Sequence, residues 1–446
     1  MNRLALIIGF ATALPLTGAE RDSAVERGRV ALTTRSFNPA VWTMTGYENA
    51  WKSWQPPLKE APGAYDQAFR DHYGLHPAPY ENGRLPMGLR QAQSLLLSNA
   101  VSYDCMMCHA GSILGKSYIG LGNASLELQA IFEDLGQESG TVRKTPFPFS
   151  NVRGTSEAGS AAVFLLGYRE PDLSLRFKPL DLGLRPNLCE DTPAWWLLKK
   201  KKTMYHTGTG HARSVRTLMQ FMLSPLNSAA VFAKEEAAFQ DIQAYLLSLE
   251  APKYPFPIDQ DLAGTGHKIF AKTCTQCHGT YGANWTYPNK IVDLDVIGTD
   301  RTRFEGISPK VGEHYNKSWF AREKGADGYK ANTTTGYQAP PLDGVWATAP
   351  YLHNGSVPTL HDMLNSKTRP KIFTRSFKTG EEDYDQVNVG WKVRTLDRGA
   401  DAAAPAYERR KVYDTTQPGR GNQGHTFGDD LTEEQRRAVV EYLKTL

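Results

Sequence analysis

Cysteine is scarce in this chain: there are five in 446 residues. At that length the chain exceeds one domain on the usual prior of ~150 residues each, and it can bury a sizeable core without a disulfide framework. A dominant charge is also missing. Lys and Arg together number 51 against 47 Asp and Glu, a formal net charge of +4. That balance makes no case for nucleic acid, and no run of interleaved basic and aromatic residues supports one. Long apolar runs are absent too. The stretch at residues 4–14 is too short to span a bilayer, which takes ~20 residues. No strand pattern is strong enough to displace a mainly α reading.

The few cysteines are concentrated. Four of the five fall in two copies of C-x-x-C-H, Cys105-Met106-Met107-Cys108-His109 and Cys274-Thr275-Gln276-Cys277-His278. This is the attachment motif of a c-type haem: two thiols add to the two vinyl groups of one porphyrin, and the following histidine ligates iron. A zinc ribbon would place its two C-x-x-C halves ~15–20 residues apart. A thioredoxin-like dithiol would need a βαβ setting. Neither fits, so two covalently bound haems c are expected. Cys105, Cys108, His109, Cys274, Cys277 and His278 are their attachment residues, and His109 and His278 the proximal ligands. Cys189 is left over, as a buried apolar residue or a reactive thiol.

Residues 1–19 read as a secretory signal. Arg3 supplies positive charge, residues 4–14 an apolar core, and Thr17-Gly18-Ala19 small residues for cleavage before Glu20. A membrane anchor is the other reading of the same run. A periplasmic or secreted location agrees with the haem motifs, because c-type haems are attached outside the cytoplasmic membrane. Residues 20–84 are rich in Trp, Tyr and Pro and predict an irregular wrap; residues 85–101 predict a helix leading into the first motif. Gly111, Gly115, Gly120 and Gly122 predict a loop, after which Asn123 caps a helix carrying Leu126, Ile131, Phe132 and Leu135. Phe239, Ile242, Tyr245, Leu246 and Leu249 form a helical stripe that stops at Pro252. The boundary is drawn there, with one haem domain at 20–252 and another at 253–446. Gly264 to Phe270 predicts a helix before the second motif. Thr432 with Gln435 predicts a capping box on a last helix bearing Val439, Tyr442, Leu443 and Leu446.

The two motifs, together with Ala349-Pro350-Tyr351-Leu352-His353-Asn354-Gly355-Ser356-Val357-Pro358-Thr359-Leu360, resemble the dihaem cytochrome c peroxidase superfamily. Pro193-Ala194-Trp195-Trp196 running into lysines, Tyr287-Pro288-Asn289, Ile297-Gly298-Thr299-Asp300 and Gly424-His425-Thr426-Phe427-Gly428 look like its rubber-oxygenase-like branch. The similarity covers roughly residues 85–446. It implies two cytochrome c-like domains with long loops, a reactive first haem with an open sixth position, and a second haem that relays electrons. It also implies a tryptophan between them, here Trp195 or Trp196, and often an interface calcium.

His425, in a glycine-flanked loop before the last helix, is the expected sixth ligand of the second haem, ahead of His353 and Met363; His361 is expected at the surface. His206 and His211 are candidates for the far face of the first haem. Met106 and Met107, between the cysteines, cannot reach it. Lys199 to Lys202 form a solvated face, or a receiver of haem propionates or of an acidic electron partner. Cleavage of peroxide needs a carboxylate to move its proton, and Glu157 and Glu170 are the candidates. A dioxygenase needs a dry apolar pocket instead, which residues 161–166 would line. The chain is thus expected to be an exported dihaem oxidoreductase that activates peroxide or dioxygen, with a small redox protein as electron donor. The alternatives are a dioxygenase cleaving an unsaturated hydrocarbon such as polyisoprene, and a dihaem electron carrier.

Overall fold

The computed structural model describes residues 18–446 apart from 95, 142–144, 146–147 and 324–327. The expected signal at 1–19 falls almost wholly outside the described residues. Helix predominates. The elements that matter for the site are α1 (Gly18–Thr34), α2 (Leu128–Glu138), α3 (Ala158–Leu166), α4 (Ala229–Ser248), α5 (Gln260–Thr273) and α6 (Glu433–Lys444). Helix α4 buries Phe232, Phe239, Ile242 and Leu246 on one face and turns extended at Leu249. No helix or strand follows until Asp259, whose carboxylate accepts from Leu262 N and caps α5. At α6 the capping box forms as expected: Thr432 Oγ1 accepts from Gln435 N, and the Gln435 side chain accepts from Thr432 N at 2.9 Å.

Two helix pairs are pinned by glycine. A Cβ on Gly28 of α1 would lie 2.0 Å from Asp241 O of α4, and one on Gly266 of α5 would lie 1.8 Å from Ala438 O of α6. Backbones approach that closely only where there is no side chain. The first motif lies between α1 and α4 in the chain, and the second directly follows α5. The first sits in a helical turn, Met106–His109, and the second in Thr275–His278.

Short strands occupy ground where a helix and a loop were expected. β1 (Trp42–Thr43), β2 (Leu89–Ala92) and β3 (Ala100–Tyr103) form an antiparallel sheet with β3 central, Val101 lying opposite both Trp42 and Gln91. The helix predicted over 85–101 is therefore wrong. Gly88 adopts φ 89° with its Cβ position 2.4 Å from Met107 Cα, and Asn99 adopts φ 46°. Both conformations stop a helix. The glycine-rich stretch after the first motif is a hairpin, β4 (Ala110–Ile113) with β5 (Lys116–Ile119). Its two turn residues, Leu114 and Gly115, both have positive φ (52° and 74°), as a tight primed turn requires. A third sheet places β6 (Ile372–Thr374) between β7 (Arg394–Thr395) and β8 (Tyr413–Asp414). The N-terminal wrap is less irregular than expected, since α1 and the short helices Met44–Asn49 and Tyr65–Tyr73 occupy much of it. Helix α2 is capped by Glu127, which accepts from Ala130 N; Asn123 instead holds the loop before it.

The cores interlock. One gathers Trp42, Tyr47 and Phe69 with α2. A second joins α1 and α4 and admits Tyr315 and Phe320 from the later part of the chain. A third unites α5 and α6 with Trp346, Tyr384 and Trp391, and admits Ile113, Leu121 and Trp196 from the earlier part. Among the described residues no helix is long and apolar enough to cross a membrane.

The glycine crossing yields a paired prediction on α5. Gly266→Val forces α5 from α6 and is expected to lower the unfolding free energy by about 1–3 kcal/mol. Gly264→Ala, on the same helix with nothing within 4 Å of its Cβ position, is expected to be neutral or stabilising by up to ~1 kcal/mol. Denaturant melts of the two variants check this; equal effects would contradict it.

Candidate haem sites and the tryptophans between them

All five cysteines are free. A redox dithiol needs a depressed thiol pKa, but burial pushes Cys105 up to about 12 and Cys108 up to about 11. Among the described residues no group of three or more His, Cys, Asp or Glu comes together as a metal cluster.

The two motif histidines are seated alike. His109 Nδ1 donates to Pro193 O at 3.1 Å, and His278 Nδ1 to Pro340 O at 2.8 Å. A carbonyl can only accept, so the proton stands on Nδ1 and the Nε2 lone pair is left for a metal. Burial pushes His109 down to about 4 and lowers His278, keeping each imidazole neutral as ligation demands. Free thiols at the right spacing and Nε2-directed imidazoles fit covalent haem at both places.

The surroundings then diverge. Beside the first motif lies a cavity of about 1340 Å³ of atom-free space, part of it open to solvent. Cys105, Cys108 and His109 line it together with Ala161, Ala162 and Leu165 of α3 and Phe239, Ile242 and Leu246 of α4. Among the described residues His109 is the one histidine in its walls, and the one carboxylate is Asp104. Asp104 is committed elsewhere: it pairs with Arg90 at 2.9 Å and accepts from Met106 N at 2.8 Å. Glu157 and Glu170 do not line the cavity. Glu157 is buried and hydrogen-bonded by the Asn151 amide, and Glu170 pairs with Arg176. The apolar run thus meets the cavity and its flanking acids do not. Chain proximity placed those acids near the site but could not say which way they point.

Near His278 a second histidine is present. The ring centroids of His278 and His425 are 6.2 Å apart at 61°. Two imidazoles holding one metal between them, each at ~2 Å through a ring nitrogen, stand roughly 6 Å apart, so His278 and His425 are spaced as residues that would hold one metal ion together. The His425 loop is held on several sides. His425 takes φ 47° with its N–H on Ile297 O at 2.7 Å, and Gly424 presses on Gly298. Arg369 donates to the carbonyls of Asn422, Gly424 and His425 at 2.6, 2.7 and 3.2 Å.

Of the other candidates Met363 neighbours His425, its backbone hydrogen-bonded to that imidazole, while the histidines lie elsewhere. His206 Nε2 donates to Asp191 O at 2.8 Å, and its ring is 6.4 Å from that of His353. His353 is buried against Tyr337 at 4.0 Å. His211 stacks on Tyr329 at 4.0 Å, and none of the three lines the first cavity. His361 pairs with Glu433 at 3.1 Å, while Met363 is half-buried against the third core. Cys189 is fully buried beside Thr155 and Tyr413.

The tryptophan pair joins the two places. Trp195 stacks on His109 at 4.7 Å and 19° and belongs to the second core. Its neighbour Trp196 belongs to the third core and donates Nε1–H to Asp343 O at 2.9 Å. Three residues before Asp343 is Pro340, whose carbonyl holds His278. Two adjacent indoles thus connect the backing of one motif histidine to the backing of the other. Lys199, Lys200 and Lys201 form a clasp at this junction, and Lys202 alone of the run is exposed as a solvated face would be. Lys199 pairs with Glu250, and Lys200 pairs with Asp343 at 2.7 Å while lying over Tyr281 and Trp285. Lys201 is buried and pushed down to about 8. Arg369 and the two proline carbonyls carry no signal in the sequence, because a backbone acceptor can be any residue. Only the fold reveals them.

Two outcomes follow. His425→Ala removes one of two nitrogen ligands, so the iron at the second motif is expected to pass from low spin to high spin, read in optical and EPR spectra; an unchanged spectrum moves the ligand elsewhere. Trp195→Phe and Trp196→Phe are each expected to slow electron equilibration between the haems while leaving both static spectra nearly intact, as flash reduction would report. Equal rates would reduce the pair to packing.

Comparison with known proteins agrees with the cytochrome reading. A family model described as RoxA-like, cytochrome c-like matches residues 336–374, the stretch that contains Pro340, Asp343 and His353. Two uncharacterised proteins of Sinorhizobium fredii, y4iJ and y4iM, are 28% and 29% identical over 262 and 237 residues. The matches cover 44% and 45% of this chain and 41% and 52% of theirs, so the chain spans about half the length of the curated relatives it matches. A crystal structure of a MauG-like protein associated with microbial copper homeostasis is 13% identical, with a TM-score of 0.28 and coverage of 69% of this chain and 94% of that one. The matched stretch, residues 336–374, is similar to a cytochrome c-like model, which agrees with covalently bound haem c.

Proposed function

We propose that the chain is an exported dihaem c oxidoreductase in which the haem at Cys105–His109 is the reactive one and that at Cys274–His278 relays electrons. The observation that carries this is the contrast between the sites: one histidine lines the first cavity, whereas His425 faces His278. Haem bound at the first motif would supply an iron able to take dioxygen or peroxide. The chain's own contribution there is chiefly exclusion of water. Ala161, Ala162, Leu165, Phe239 and Ile242 offer no proton donor and admit an apolar molecule. The Gln220 amide, also in the wall, is held by Thr217 O at 3.1 Å and donates toward Tyr205 OH at 3.4 Å.

Heterolysis of peroxide calls for a group that moves a proton, worth ~10²–10⁴-fold. With Glu157, Glu170 and Asp104 all engaged away from the cavity or by Arg90, the walls favour dioxygen with an apolar, unsaturated substrate. The test sets oxygen uptake with a small alkene and with polyisoprene beside peroxide turnover with a reduced dye. Oxygen uptake that falls at least about tenfold in Ala161→Trp, with the second haem's spectrum unchanged, is expected. Peroxide turnover without any oxygen uptake, unaltered by Ala161→Trp, would contradict it.

A further inference from the structure

Apart from the haem cavity, a second, small cavity lies where residues 124–155 meet residues 350–413, with about 400 Å³ of atom-free space, part of it open to solvent. Arg153, Arg375 and Lys411 line it, and among the described residues no Asp or Glu does. Lys411 is balanced by Glu408 at 2.8 Å. The two arginines are not balanced: among the described residues neither forms an ion pair with a carboxylate. Arg153 is 5% exposed and spends its three nitrogens on neutral acceptors, Ser125 O, Tyr407 OH and Asp71 O, all at 2.9 Å. Arg375 gives Nη2 to Ala124 O, while its Nη1 is buried without a partner.

Phe377 holds the two guanidiniums close, its ring centroid 4.8 Å from Arg153 Cζ and 4.7 Å from Arg375 Cζ; Trp391 lies 4.6 Å from the latter. The acids within electrostatic range, Asp383 and Asp191, raise Arg375 by less than its burial lowers it. Asp383 is engaged by Ser376 and Gly380, and burial holds Asp191 well above the usual carboxylate range. Burial and the neighbouring Arg153 push Arg375 down to about 9. Two like charges out of water, facing one cavity, with a free N–H left over, form an arrangement that an added negative charge would relieve.

We propose that this cavity binds an oxyanion, carboxylate or phosphate, whose oxygens accept from Arg375 Nη1 and sit in the field of Arg153. The same chemistry has two sources, a free small anion or a propionate of the first haem. The cavity abuts that motif: Ala124, which accepts from Arg375, follows Asn123, whose N–H bonds Cys108 O at 2.8 Å. Planar guanidinium suits either oxyanion.

The experiment uses the intact holoprotein. If the anion is free, inorganic phosphate raises the melting temperature saturably where chloride at equal ionic strength does not, and Arg375→Gln weakens phosphate binding by about tenfold or more. If a propionate already fills the site, phosphate has no effect, Arg375→Gln shifts the reduction potential of one haem, and Arg375→Lys, which keeps the charge, shifts it less. Should Arg375→Gln fail to accumulate, phosphate titration of the wild type and the potential of Arg375→Lys still decide. No response to phosphate together with haem potentials unmoved by either substitution would overturn the proposal.

Discussion

Each motif histidine leans on a proline carbonyl, and much of the site depends on that pair of hydrogen bonds. They fix the tautomer, direct Nε2 toward the place a haem would occupy, and tie each motif to a segment remote in sequence: Pro193 for His109 and Pro340 for His278. Those segments also carry Trp195 and Trp196 on one side and Asp343 on the other. The bonds that orient the ligands thus anchor the connection between the two centres. Such outer contacts tune ligand basicity and orientation as much as the ligands themselves do.

From this shared seating the sites take opposite chemical characters. Around His425 the loop is fastened by Arg369, by Ile297 and by the glycine contact at Gly298, which suits a ligand that must not leave. Around His109 the walls are mainly apolar helix faces, with Asn38, Tyr103, Asp104 and Gln220 as their polar members. A small, rigid coordination sphere suits electron transfer; an open position in a dry cavity suits binding of a small oxidant. The interlocked cores support this division, since Trp195 and Trp196, adjacent in the chain, are buried in different clusters. Displacing one cluster against the other would break the stacking on His109 or the bond to Asp343.

What could be read from the sequence followed from how strongly chemistry constrains local spacing. Thioether attachment fixes C-x-x-C-H, so Cys105–His109 and Cys274–His278 were legible. Amphipathic periodicity and the Thr432–Gln435 box made α4, α5 and α6 legible. Strands of four residues bury both faces, as β3 does, and carry no alternation to read, so 85–101 passed for a helix and the hairpin at 110–119 for a loop. Glu157 and Glu170 flank a helix that does line the cavity, but a flank in sequence does not determine where a side chain points. Four consecutive lysines suggested a solvated face because the acids and rings that engage them, Glu250, Asp343 and Tyr281, are distant in the chain. Arg153 and Arg375 lie more than two hundred positions apart in ordinary-looking loops, and nothing local marks them as neighbours.

On this proposal two similarly seated histidines serve unlike irons, and EPR of the as-isolated ferric protein, quantified against total haem by pyridine haemochrome, will show one high-spin and one low-spin ferric haem per chain. The high-spin signal is the one expected to respond to an added small ligand such as azide. Two low-spin haems per chain, neither of them responsive, would contradict it and leave the molecule an electron carrier.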